Sequence, residues 1–265
     1  MRYLKEMFYR FTEHQLIFLG AQCAYFFLLS LFPFLIVMIS LLTFVPFTIE
    51  DFRTLLEDLY LPEGVMAVIE DQLNSLVQNR NTGALSLGVI FTIWTASLAM
   101  NAILRSLNLS YEVTEERGII LGRIVSIGLT FGMFVVIIAA LTVQIIGGYL
   151  TELIAFDFWL FDEDLLRWLL ITAFTFIVFL ILYLVGPGTR VSFREAYPGT
   201  LFATLGWQAT SFGFSIYLNN IADFSAMYGA IGTAIVLMVW FHLSALIILL
   251  GGEINAIKKE GYQWT

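Results

Sequence analysis

From Tyr228 to Gly252 the chain is apolar, interrupted only by small residues, hydroxyls and His242, and it then turns polar at Glu253, Asn255, Lys258 and Lys259. At ~1.5 Å of helical rise per residue, about 20 such residues cross a ~30 Å hydrocarbon core. The segment is long enough to span a bilayer, and it is one of six. Apolar stretches of membrane length run over 17–45, 84–107, 119–150, 166–185, 196–217 and 228–252. The sequence therefore predicts an all-α, polytopic membrane protein in which residues 1–265 form a single six-span domain.

Composition agrees. Hydrophobic residues make up 59% of the chain, charged residues 13%, and the mean hydropathy is +0.86, more apolar surface than a soluble domain of 265 residues can cover. The first apolar run starts near Ile17 and continues to Val45, far longer than the core of a cleaved signal peptide, so it reads as a retained span. Cys23 is the single cysteine, which excludes an intramolecular disulfide and a cysteine metal cluster. Pro33, following Ser30-Leu31-Phe32, removes a hydrogen bond within the first span and predicts a kink, with the Ser30 hydroxyl available to the freed backbone.

Between the first two spans lies the one long connection, 46–83. Ile49, Phe52, Leu55, Leu56 and Leu59, and then Val65, Val68, Ile69, Leu73 and Leu76, recur at helical spacing on either side of Pro62 and Gly64. This predicts two short amphipathic helices on the extracytoplasmic membrane surface. Orientation follows from the basic residues, which are held on the cytoplasmic side. Of the 13, only Arg53, Arg80 and Arg167 fall on the side opposite the amphipathic head (residues 1–16), the short loops near 108–118 and 186–195, and the tail. That opposite side also carries Glu50, Asp51, Glu57, Asp58 and Asp162-Glu163-Asp164, so the net charge of −8 belongs to the outer face. Both termini are expected in the cytoplasm.

Polar side chains inside a bilayer are costly enough to be functional candidates. They are Gln22, Asn101, Arg105, Asn108, Gln208, His242 and Glu253, with Gln144 in the third span. Asn101, Arg105 and Asn108 are spaced i, i+4, i+7 on one side of the second span, and Glu253 ends the sixth at the same side of the membrane. An Arg105–Glu253 ion pair is expected, either as a lock between helices or as part of a transport path. His242 could relay protons or simply pack, and Gln208 could line a cavity or hold helices together. Gly251 and Gly252, like Gly229 and Gly232, suit close helix contact. A weaker pattern pairs Trp94-Thr95-Ala96-Ser97 with Trp207-Gln208-Ala209-Thr210, as an inverted repeat or a chance likeness of apolar segments.

Soluble-enzyme chemistry finds little footing. The chain has no P-loop, no Gly-x-Ser-x-Gly elbow, no His-Glu-x-x-His, and only two histidines, of which His14 lies in the head. No cofactor, metal or nucleic-acid partner is expected. The Asp162-Glu163-Asp164 group reads as a solvated loop.

Four stretches together resemble the YihY family of bacterial inner-membrane proteins, also called the BrkB family and once labelled ribonuclease BN. They are Ala24-Tyr25-Phe26-Phe27-Leu28-Leu29-Ser30-Leu31-Phe32-Pro33; Leu107-Asn108-Leu109-Ser110-Tyr111-Glu112-Val113; Arg194-Glu195-Ala196-Tyr197-Pro198-Gly199 with Trp207 and Tyr217; and Tyr228-Gly229, Gly232, Trp240 and Gly252-Glu253-Ile254-Asn255-Ala256. Phe26 stands where the family pattern has a second tyrosine, and Phe193 where a tryptophan often precedes the arginine. The resemblance implies six spans with both termini inside. It implies no settled activity, only envelope maintenance and transport of a lipid or amphipathic solute as suggestions. The leading expectation is a transporter or flippase with membrane lipids as partners; the alternative is a structural membrane protein, and a ribonuclease ranks last.

Overall fold

The computed structural model describes residues 2–42, 82–113, 122–132, 163–221 and 224–263, and among them every regular element is an α-helix. In chain order these are α1 (Arg2–Glu13), α2 (Leu16–Leu42), α3 (Thr82–Ser110), α4 (helical over 122–132), α5 (Glu163–Val185), α6 (Phe193–Ile221) and α7 (Phe224–Gln263). The two surface helices expected in 46–83, most of the third span and Gln144 lie outside the described residues. Ala234–Gly261, with a mean hydropathy of 2.4, is long and apolar enough to cross a membrane, and Tyr3–Glu13 with Leu16–Leu31 passes the same test as a pair bent by 59°.

Helix α7 is the axis of the assembly. It packs against α2, α3 and α6, while α2 lies along α3 and α5 along α6. The core they enclose holds Cys23, Leu107, Leu182, Tyr183, Ala196, Ala203, Ala245 and Leu249, all essentially inaccessible. The outward faces are also apolar: Phe18, Trp94, Ile177, Phe212 and Val239 are exposed. A bundle apolar inside and outside is what a lipid solvent selects.

The Gly251-Gly252 pair does not break the helix. Helix α7 runs through it for 40 residues, about 60 Å, so Glu253 is an interior helical residue. The glycines serve close contact. A Cβ at Gly251 would strike the Tyr183 hydroxyl and Gly199 O, one at Gly252 would strike Leu107, and one at Gly199 would strike Gly251 O and Asn255. Pro198, inside α6, removes one backbone donor beside this crossing. The next donor, Gly199 N, bonds Asn255 Oδ1 across the interface at 2.7 Å.

Local signals set the helix ends. At the start of α6 Glu195 supplies its half of a capping box: Ser192 N donates to Glu195 Oε2 at 2.7 Å, while Glu195 N and Ala196 N donate to the Ser192 backbone carbonyl. Helix α3 closes in a Schellman motif, with Val113 N on Asn108 O, Glu112 N on Leu109 O, and Glu112 at φ 52°. Helix α2 continues through Pro33 to Leu42, but Ser30 Oγ donates to Phe27 O at 2.9 Å. The expected rescue therefore does not occur, because the carbonyl freed by a proline lies four residues before it, at Leu29.

Candidate functional site

One end of the bundle gathers the start of α2, the C-terminal ends of α3 and α5, the start of α6 and the last turns of α7. Across that end lies α1. Its first requirement is the turn His14–Gln15, where Gln15 takes φ 52° and His14 N and Gln15 N close back on Arg10 O and Thr12 O. This reversal aims both Arg10 and His14 at α7.

At the centre is Glu253, fully buried. Its Oε1 accepts from Ser110 Oγ at 2.8 Å and lies 2.7 Å from His14 Nδ1. Arg10, 3% exposed, spreads its guanidinium over the same end. Nη1 donates to Ser110 O at 2.9 Å and lies 3.7 Å from Glu253 Oε2; Nη2 donates to both Glu260 carboxylate oxygens at 2.6 Å; Nε donates to Glu6 at 3.1 Å. Glu112 is a further 3.9 Å neighbour. Burial alone lowers the pKa of Arg10, but the bonds to Glu260 and Glu6 and the charges of Glu260 and Glu253 outweigh it and hold it above the ordinary value.

Around this ion cluster the polar atoms are unevenly satisfied. Tyr183 Oη donates to Ile248 O at 2.7 Å, Gly188 N to Asn108 Oδ1 at 2.6 Å, and Lys259 Nζ to Thr189 Oγ1 and Arg190 O. By contrast Glu253 Oε2, Asn255 Nδ2, Tyr111 Oη and Ser106 Oγ are buried without a hydrogen-bond partner. Burial, with the charges of Glu195 and Glu253, pushes the Tyr111 phenol above its ordinary range. Lys259 Nζ sits 5.5 Å from the Tyr111 ring centre. Among the described residues no group of three or more His, Cys, Asp or Glu could hold a metal.

The structure sorts the sequence candidates. Glu253 and Asn108 join this end of the bundle, both buried. Arg105 does not: it is exposed, and Glu253 takes Arg10 as its ionic partner instead, with His14 at hydrogen-bond distance. The i, i+4, i+7 spacing spreads the three residues over an arc wide enough that Asn108 points inward and Arg105 outward. Asn101 is half-buried and Gln22 exposed. Gln208 Nε2 donates to Thr172 Oγ1 at 2.8 Å, tying α6 to α5 as helix glue, while its Oε1 is unpartnered. His242 is half-buried across from Gly20, where α2 and α7 touch. The residues missed were Arg10, His14, Ser110, Asn255 and Glu260. Arg10 was readable on a helical wheel, since it falls beside Tyr3 and Met7 on the apolar edge of α1, away from Lys5 and Arg2.

The family described as Virulence factor BrkB matches residues 7–263. The ribonuclease-like protein YfkH of Bacillus subtilis is 43% identical over 98% of this chain and 96% of its own length. A UPF0761 membrane protein of Photobacterium profundum is 30% identical, covering 99% of this chain and 82% of its own length, and one of Pseudoalteromonas translucida is 28% identical over 97% and 86%. No solved structure matches. The chain belongs to the BrkB family and is a membrane protein.

Proposed function

We propose that this BrkB-family chain crosses the cytoplasmic membrane six times, with both termini in the cytoplasm, and carries a lipid or amphipathic solute in support of the envelope. One observation carries the reading: a fully buried carboxylate, Glu253, keeps one oxygen without a hydrogen bond, and its neighbours Arg10 and His14 come from α1 and the turn after it, which lie across the end of the bundle. A purely structural lock gains nothing from an incompletely satisfied acid at its centre, because such a group costs about 1–3 kcal/mol or more. A gate does, since its closed state must be reversible. Removing α1 from the end of α7 would take Arg10 away from Glu253 and leave a buried acid at one end of an apolar bundle.

The test uses the purified protein in vesicles carrying a phosphatidylethanolamine labelled with a dithionite-sensitive fluorophore. Protein-dependent loss of the protected inner-leaflet signal, faster in Arg10→Ala than in the parent, is expected. A protected fraction equal to that of empty vesicles in both proteins would leave the structural reading in its place. The name of YfkH supplies a second reading, RNA cleavage. We expect none from protein purified free of contaminating nucleases. Cleavage of a labelled single-stranded RNA that follows the protein through purification and disappears in Glu253→Gln would establish the enzyme instead.

A further inference from the structure

Helix α1 has three faces, and the bundle accounts for one of them. On the bundle side Arg10 is buried in its ion cluster, Met7 and Phe11 are half-buried, and the Tyr3 hydroxyl lies 3.5 Å from where a Cβ on Gly261 would stand. On the opposite side Lys5, Thr12 and Glu13 are exposed and polar, with the amphipathic Tyr9 among them, as expected for a face toward water and headgroups. Between these faces, one turn apart, Leu4 and Phe8 project from the helix with 77% and 75% of their surface uncovered. They belong to the same apolar stripe as Met7 and Phe11, so the bundle covers only half of the stripe.

We propose that the uncovered half of this stripe docks into the lipid monolayer beside the bundle, so that α1 lies in the plane of the membrane surface. Four features support lipid as the occupant. The axis turns by 59° between Tyr3–Glu13 and Leu16–Leu31, which lets α1 lie along the surface while α2 enters the bilayer. Immediately past the turn, Ile17 and Phe18 are exposed at 50% and 72%, so the apolar surface of α1 continues into that of α2. Lys5 sits on the polar flank of the stripe, where it meets headgroup phosphates. Finally, two side chains one turn apart are far smaller than the ~800 Å² per partner that a stable protein interface buries. The inference requires membrane residence and is independent of transport.

Arg10 fixes the roll of α1 about its own axis. Its fork is held by Ser110 O on α3 and Glu260 on α7, and with that orientation set, Leu4 and Phe8 can only face sideways, toward lipid. An amphipathic helix so placed buries its apolar side chains ~5–10 Å below the headgroups. The membrane surface and the buried Glu253 are then linked by a single side chain.

The experiment places one nitroxide spin label at a time on the full chain, using Leu4→Cys, Phe8→Cys and Thr12→Cys, with Phe18→Cys as a reference within the first span. The native Cys23 is buried and stays in place, with the labelled parent as control. The protein is reconstituted in phosphatidylethanolamine and phosphatidylglycerol vesicles, and collisions with oxygen, which concentrates in lipid, are compared with those of a water-soluble nickel chelate. Labels at 4 and 8 are expected to give an oxygen-to-nickel ratio several-fold above that at 12 and approaching that at 18. Nickel access at 4 and 8 equal to that at 12 would place the stripe in water and overturn the proposal. Access by neither reagent would place it under protein, and overturn it equally; spin–spin broadening between labels would identify that protein as a second copy. All three α1 positions are exposed, so the substitutions leave the packing unchanged.

Discussion

Replacing Arg10 with alanine removes a side chain that joins α1 to α3 and α7 at once. The cost can be built from its contacts. The bonds to Glu260 and Glu6 are short, but those carboxylates are 40% and 43% exposed, so water and salt reduce each to about 1 kcal/mol or less. Glu112, 71% exposed at 3.9 Å, adds nothing measurable. The larger effects come from Ser110 O, which loses a charged donor, and from Glu253, which is fully buried and loses its nearest permanent cation. Stranding a buried charge costs about 3–5 kcal/mol when the pair is broken outright. Here Glu253 keeps Ser110 and His14 at hydrogen-bond distance, so the expected loss is at the lower end, ~3 kcal/mol. Glu253→Gln in the same background should restore part of it, because a neutral amide needs no cation. The coupling between the two changes should then fall within ~1–3 kcal/mol. The assay is reversible unfolding of the four proteins of the cycle in mixed micelles. Strictly additive losses would refute the account, as would an Arg105→Ala control costing as much as Arg10→Ala, since an exposed arginine should change stability by no more than ~0.5 kcal/mol.

Three further outcomes are expected. Gly251→Ala should destabilise by ~1–3 kcal/mol or fail to accumulate, since its Cβ meets Tyr183 and the α6 backbone, whereas Gly128→Ala, with open space around it, should be neutral or slightly stabilising in the same thermal-unfolding measurement. Asn108→Ala, which leaves the Gly188 amide without its 2.6 Å acceptor, should cost ~1–2 kcal/mol, while Asn108→Asp should retain most of it; equal losses would mean that the side chain does not cap the loop. For the proposed orientation, Glu57→Cys or Asp162→Cys should react with an impermeant maleimide in intact cells, and Glu115→Cys or Lys258→Cys should not. The reverse labelling would invert the topology.

The helical class was legible because run length is a one-dimensional property, and the close contact at Gly251 and Gly252 because a glycine carries its reason locally. The need of Glu253 for a partner was legible too, from the cost of a buried carboxylate. Its partner was not. Arg105 and Arg10 are both basic residues assigned to the same side of the membrane, and charge alone cannot separate them. What separates them is the roll of α3, which turns Arg105 outward, and the reversal at Gln15, which a non-glycine residue at positive φ does not announce in a sequence. Asn255 was missed for a related reason: its acceptor role depends on α6 approaching through Gly199.

The ion cluster also orders the events of biosynthesis. Arg10 precedes Ser110 by 100 residues and Glu260 by 250, so its guanidinium remains without its closest interhelical acid until the final helix has been made and has docked. A chain truncated within α7 before Glu260 would leave α1 held to the rest of the bundle chiefly through Ser110, with Arg10 lacking its closest acid. Closure of the first helix over the last is therefore a late step.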